Sequence, residues 1–335
     1  MRRWLNFPVS EFITGVARRA AATMMGIVTV AGILVDPPQA RAWSTVADAP
    51  TAVTCAHFPK PVPTAWYFPP IAPLGLVWMQ HGFVEDKQVW SALAPQVASR
   101  GYLVMATTLP TVNLFGCTVE NLGNNTGFLD NIANVFANKD DPNGALAASF
   151  SRAAAKLGRL PAPLPDKLVF VGHSAGVEAV EYVAERLRST FPATFAQLRG
   201  IVSEDGVKSF IGSNTDDALT GLAGTTLPIY ATASPRVICN DFQSGTTAIE
   251  KHLSNRPFHG VNITTGAHGD ALGPSSPFYE NLVCTCPQPA NVAAVWGLTQ
   301  GWISDMVAET TTPDFYPGGG YYTGLLTAGT ITTLP

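Results

Sequence analysis

The residues best suited to covalent chemistry are Gly172-His173-Ser174-Ala175-Gly176, which fit G-x-S-x-G. Bare matches to that pattern arise often by chance, so the flanks carry the weight. Leu168 to Val171 is a short, wholly apolar run, as expected of a strand covered on both faces. Val177, Val180, Val183 and Leu187 then recur on one helical stripe. Strand, sharp turn and helix together make a nucleophile elbow, with a serine held in a strained backbone conformation. Small residues two positions to either side let strand and helix approach. The turn puts the serine oxygen at the carboxyl edge of the sheet, over the unpaired N–H groups that open the helix, where a developing oxyanion would be stabilised.

A serine nucleophile needs a base, and the base needs an orienting acid. On an elbow of this kind the chain order is Ser, acid, His. Among His57, His81, His173, His252, His259 and His268, only the last three lie late enough. His268 sits in Gly266-Ala267-His268-Gly269-Asp270, just past a predicted strand, between small residues that let a loop fold over the serine. His259 begins that strand, at the wrong edge of the sheet, and His252 lies in a charged helical stretch and reads as a solvated surface residue. Two acids compete. Asp205 occupies an Asp-Gly turn at the tip of the strand after the elbow helix, and Asp241 follows the next strand, the more usual place. Tip geometry favours Asp205, whose bland reading is a turn-former before glycine; Asp241 stays open. Glu204 should point to the opposite face. Gln80-His81-Gly82-Phe83 ends an earlier strand, and there the Phe83 N–H would pair with the Ala175 N–H as an oxyanion hole. The plainer alternative is a glycine loop with a structural His81.

These residues require a frame of alternating strands and helices. Gly75 to Met79, Tyr102 to Thr107, Leu168 to Val171, Gly200 to Glu204, Leu227 to Ala233 and His259 to Thr264 read as strands. Asp86 to Arg100, Phe128 to Ala137, Ala145 to Leu157, the stretch after Gly176 and Val292 to Ala308 read as helices. Such alternation predicts an α/β fold, a mostly parallel sheet with helices on both faces. Residues 43–74 suggest a strand or two. The Gly/Thr-rich tail from Thr310 reads as irregular chain, with Pro317-Gly318-Gly319-Gly320 a plain loop. Only about twenty residues, 207–226, lie where large caps are usually inserted, so a cap domain does not fit, whereas residues 109–127 could make a small flap.

Composition bounds the function. The 335 residues are 46% hydrophobic and 13% charged, net −4, against roughly 25% charged in an average domain. No long basic run exists to grip phosphates, which argues against a nucleic-acid partner. Arg2, Arg3, Arg18 and Arg19 precede sixteen uncharged residues, 20–35, and Ala40-Arg41-Ala42 follows. That arrangement reads as a secretory signal over residues 1–42, too short to span a bilayer; neither arginine pair sits in a full twin-arginine motif, so the route stays open. The remainder, residues 43–335, is expected to be one exported domain carrying 15 basic and 22 acidic side chains, with no stable membrane insertion. Its cysteines, Cys55, Cys117, Cys239, Cys284 and Cys286, allow two disulfides and one free thiol. Cys284 and Cys286 are poor mutual partners, and Cys239 is a candidate for one of them. A structural zinc site is the weaker reading, and no motif calls for a cofactor.

On Gln80-His81-Gly82-Phe83, the elbow at 172–176 and Gly266-Ala267-His268, most of residues 50–308 resembles the α/β-hydrolase superfamily. Within it the chain looks like secreted bacterial esterases of the polyester-hydrolase, cutinase-like lipase and chlorophyllase-like groups. The resemblance implies a carboxylic ester hydrolase acting through an acyl-enzyme on small-molecule, lipid or polymer esters. One departure matters: the polyester hydrolases carry an acid directly after the strand at 227–233, where this chain reads Ser234-Pro235-Arg236-Val237. A peptidase, thioesterase or acyltransferase would use the same elbow. A non-catalytic binding protein would be expected to have lost Ser174 or His268.

Overall fold

The computed structural model describes residues 45–160 and 162–335. The expected export signal, residues 1–42, lies outside the described residues. Eleven strands occur among the described residues: β1 (Thr45–Asp48), β2 (Thr51–Cys55), β3 (Phe58–Val62), β4 (Thr64–Phe68), β5 (Leu76–Gln80), β6 (Leu103–Thr107), β7 (Leu168–His173), β8 (Leu198–Glu204), β9 (Ile229–Ala233), β10 (Gly260–Ile263) and β11 (Ile331–Thr333). Nine of them form one sheet in the order β1-β4-β6-β5-β7-β8-β9-β10-β11, and β2 with β3 forms a separate hairpin. The six strands β6 to β10 in that order are mutually parallel, with β4 antiparallel at one side and β11 at the other. A parallel sheet needs both faces covered, and β5 and β7, buried at every position, show the consequence in sequence.

Helices α1 (Ala94–Ser99), α2 (Thr126–Ala137), α3 (Ala145–Lys156), α4 (Ala175–Thr190), α5 (Pro192–Phe195), α6 (Asn214–Leu222), α7 (Ser244–His252), α8 (Phe278–Cys284), α9 (Pro289–Ala308) and α10 (Gly320–Thr327) supply the cover. Because side chains alternate along a strand, Leu76, Trp78, Leu168 and Phe170 face one core with α2, α3, α4, α6 and α7. Val77, Met79, Val169 and Val171 face the other with α1, α9 and α10. Trp78 is wedged between Phe136 and Phe170, ring centroids 5.0 and 5.1 Å away, and its Nε1–H donates to Thr107 Oγ1 at 2.8 Å. The helical stripe of α4, from Val177 to Leu187, is buried throughout. No helix among the described residues is long and apolar enough to cross a membrane.

The structure corrects several expectations. The helix expected from Asp86 to Arg100 is two pieces, a 3-10 turn at Lys87–Trp90 and α1. Asp86 caps the first through Gln88 N–H, and Pro95 in the first turn of α1 has no N–H to continue a helix through it. Residues 43–74 hold four strands, more than the one or two expected; Ala56 and His57, at φ 48° and 73°, close β2 and β3 with the twist of a tight hairpin turn. The tail after Thr310 is also structured. Fully buried Tyr322 anchors α10, and β11 covers the edge of β10; only a few apolar residues in a Gly/Thr-rich stretch mark them in the sequence. Two disulfides are present, Cys55–Cys117 and Cys239–Cys284, with Cys286 exposed and free.

Trp78→Ala should cost about 3–5 kcal/mol, since it empties the centre of one core and removes the indole donor to Thr107 Oγ1. Urea denaturation monitored by circular dichroism measures this; a loss under 1 kcal/mol would contradict the packing described.

Candidate active site

Three neighbouring strands end in register, Gln80 opposite Gly172 and His173 opposite Glu204. Ser174 follows β7 immediately, at φ 53° and ψ −127°, a conformation side chains rarely adopt. Its backbone is held from both sides: Ser174 N–H donates to the Glu204 carbonyl (3.1 Å), and the Ser174 carbonyl accepts from Val177 and Val207 N–H (3.0 and 3.1 Å). The two glycines are spatial requirements. A Cβ at Gly172 would meet Val177 Cα at 2.6 Å, and one at Gly176 would collide with the carbonyl oxygens of Gln80 and His81. Gly82 is equally confined, because a Cβ there would lie 2.7 Å from Ser174 Cβ and 3.2 Å from its Oγ. The loop after β5 therefore passes directly over the serine. The Phe83 N–H has no protein acceptor among the described residues. Ala175 opens α4, where helix N–H groups lack internal partners.

His268 lies five residues past β10, and its Nδ1–H donates to Asp205 Oδ2 at 2.6 Å. Both side chains are 6% exposed. Asp205, at φ 45°, is the first residue beyond β8. Its Oδ1 accepts from Ser234 N–H (2.8 Å) and Asn240 Nδ2 (3.2 Å), and its Oδ2 accepts from Ser234 Oγ (2.6 Å). Burial alone would raise the Asp205 carboxyl; the hydrogen bond and charge of His268, then the Ser234 bonds, outweigh it and hold the group below the ordinary range. Asp241 is not brought to His268. It caps a short turn in a left-handed conformation and faces Glu120. Glu204 points away, accepting from Thr232 and Thr299, with burial pushing it up to about 7.

The other histidines fall outside this pair. His259 bonds the Pro335 and Leu253 carbonyls at the far edge of the sheet. His252, expected to be solvated, is instead partly buried against Asp216 at 2.7 Å. His81 is wholly buried, with Nδ1 on the Gly82 carbonyl at 2.6 Å and burial pushing its pKa down.

Sequence reasoning missed Glu85, Glu280, Ser234 and Asn240, and gave His173 no role. Glu85 lies three residues past Gly82, a spacing that could have marked a side chain folding back on that loop; the others are joined only by the fold. Atoms of His173, His268 and Glu280 approach within 4.8 Å, close enough for a metal set. Yet both ring nitrogens of His173 and Nδ1 of His268 are engaged by protein acceptors, which leaves too few free donors for metal binding. The segment 109–127, read as a potential flap, is pinned by Cys55–Cys117 and by Asn121 N–H to Ser209 Oγ at 2.8 Å. The stretch 207–226 holds only α6, so no large cap covers the sheet edge. A cavity of about 560 Å³ opens at the other ends of the strands, near Leu198, Pro228 and Tyr230, and includes none of these site residues.

No protein-family model and no curated protein matches the chain. Solved structures do. Ferulic acid esterase from Streptomyces cinnamoneus aligns over 90% of this chain and 99% of its own, at TM-score 0.55 and 12% identity. Dienelactone hydrolase from Anabaena variabilis aligns over 77% of this chain and 97% of its own, at TM-score 0.46 and 14% identity. At 12% identity the likeness to the esterase concerns architecture alone, and it agrees with the parallel sheet and its two helical layers. The chain has the α/β-hydrolase fold.

Proposed function

We propose that the protein is an exported serine hydrolase of carboxylic esters. Ser174 Oγ attacks the ester carbonyl, and His268 takes its proton through Nε2, the nitrogen left free by the Asp205 bond. Asp205 sets that tautomer and supports the imidazolium as it forms. The N–H groups of Phe83 and Ala175 hold the oxyanion. His268 returns the proton to the leaving alcohol, and water repeats the cycle on the acyl-enzyme. The observation that carries this reading is the Asp205–His268 pair at 2.6 Å at the same sheet edge as the strained Ser174. Two disulfides and the lack of a membrane-crossing helix among the described residues fit an exported protein.

The rim favours bulky apolar esters, including lipid or polymer chains. Phe83, Phe210 and Ile238, on the segments after β5, β8 and β9, and Phe278 and Leu282, on α8 after β10, are all exposed. Aryl esters join the first substrates to test, because the esterase from Streptomyces cinnamoneus named above shares the architecture.

A fluorophosphonate probe should label the wild type and fail to label Ser174→Ala; equal labelling of the two would reject Ser174 as nucleophile. Asp205→Asn should lower kcat by about 10³-fold or more through loss of the correct tautomer, while Asp241→Asn stays within about twofold of wild type. Severe loss in Asp241→Asn alone would reassign the acid. Profiling p-nitrophenyl esters of rising chain length, feruloyl esters, peptides and acyl-thioesters should give the highest kcat/KM on an apolar or aryl ester. Preference for a thioester or a peptide would redirect the assignment.

A further inference from the structure

A second buried group of ionisable side chains lies beside the site. His173 precedes Ser174 on β7 and is fully buried. Its Nδ1 meets Glu85 Oε2 at 3.2 Å, and its Nε2 meets the His268 carbonyl at 2.9 Å. A carbonyl only accepts hydrogen bonds, and so does an ionised carboxylate. Both ring nitrogens must then donate, which makes His173 an imidazolium. Glu85 Oε2 also accepts the Gly82 N–H at 2.5 Å, as an ionised oxygen would. Glu280 of α8 supplies the remaining partner: its carboxyl lies beside His173 and His268 with Oε1 buried and otherwise unpartnered, and next to Glu85 two such carboxyls share one proton.

This chain of contacts links three loops. Through Gly82 it holds the segment that carries the Phe83 N–H, and through the His268 carbonyl it holds the loop of the proposed base. The same α8 is tied twice more, by Tyr279 Oη–H to the Val84 carbonyl at 2.6 Å and by Cys284 to Cys239. We propose that Glu85, His173 and Glu280 are positioning residues that fix the Phe83 loop and the His268 loop relative to Ser174, with Glu280 acting as a neutral hydrogen-bond donor to Glu85. This rests on the serine-hydrolase reading of the site.

Charge balance supports the assignment. The imidazolium of His173 has its ring 4.7 Å from that of His268, where an uncompensated cation would oppose protonation of the base. Ionised Glu85 cancels it. Glu85, Glu280, His81, His268, Glu204, Asp205 and Tyr279 are the titratable groups that face the cluster. For Glu85, burial raises the carboxyl, but the charge and hydrogen bond of His173 outweigh it and bring it down to about 2. For His173, burial lowers it, and Glu85 lifts it to about 10. Burial raises Glu280 to about 8. At neutral pH the cluster is thus Glu85⁻, His173⁺ and neutral Glu280. As pH rises past about 8 Glu280 loses its proton, the donor to Glu85 disappears, and two carboxylates repel each other across the loop contact.

The test compares Glu85→Gln, Glu280→Leu and Glu280→Gln with wild type on p-nitrophenyl acetate across pH 6–10, with Tm as the folding control and fluorophosphonate labelling as the control for Ser174. Glu280→Leu and Glu85→Gln should lower kcat about 10- to 100-fold with KM changed less than threefold, since the reacting groups are misplaced without loss of substrate contacts. Glu280→Gln, whose amide still donates to Glu85 but cannot ionise, should keep kcat within about threefold at pH 7 and move the alkaline limb upward by a pH unit or more. Independently of activity, ¹⁵N NMR of the His173 ring should show both nitrogens protonated from pH 6 to 9. A neutral His173 ring at pH 7 overturns the proposal. So does an unchanged alkaline limb in Glu280→Gln, or an unchanged kcat in folded Glu280→Leu. An unlabelled wild type with a protonated His173 ring would reject the hydrolase reading while leaving the cluster's charge state intact.

Discussion

The site depends on one backbone conformation, Ser174 at φ 53°. Such a conformation costs of order 1–3 kcal/mol and persists only where its surroundings over-determine it. Here they do so with hydrogen bonds to Glu204, Val177 and Val207 and with close approach at three glycines, Gly82, Gly172 and Gly176. The space those glycines leave lets β7 run straight into α4 and lets the Phe83 loop pass over the serine. The large cores on both faces of the sheet hold the strand ends at this edge in register.

Around that turn the protein buries an unusual amount of charge. Asp205, Glu85 and His173 are all nearly inaccessible. An isolated ion would be expelled or neutralised in such a place, so each is compensated: Asp205 by His268, Ser234 and Asn240, and Glu85 by His173 and Gly82 N–H. Glu204, by contrast, has only hydroxyl donors, and burial drives it toward its neutral form. Two carboxyls next to each other in sequence, Glu204 and Asp205, are thereby shifted in opposite directions because alternation along β8 sends them to opposite environments.

Disulfides and short helices complete the frame where the sheet offers none. Cys239–Cys284 joins the loop that supplies Asn240 to α8, which supplies Glu280. Cys55–Cys117 holds the long loop before α2. The edge that would otherwise be left open at β10 is closed by β11 and α10.

The elbow and the covered strands were legible in the sequence because each is written in neighbouring residues. A wholly apolar run names a covered strand, and G-x-S-x-G between strand and helix names a turn that only small flanking residues permit. The same local signals failed at the tail and at Glu85, Glu280 and Asn240. The tail's composition is dominated by Gly and Thr, and its helix is specified chiefly by one buried ring, Tyr322. The partners of His173 and Asp205 come from segments 29 to more than 100 residues apart. Whether Asp205 or Asp241 reaches His268 was likewise undecidable locally, since both follow strands. Sequence alone determined which residue types stand at the strand ends, because period and sterics act over a few residues. Only the tertiary structure decided which of them meet, because loop closure across a packed sheet, and the need to pair every buried charge, act between residues with no relation along the chain.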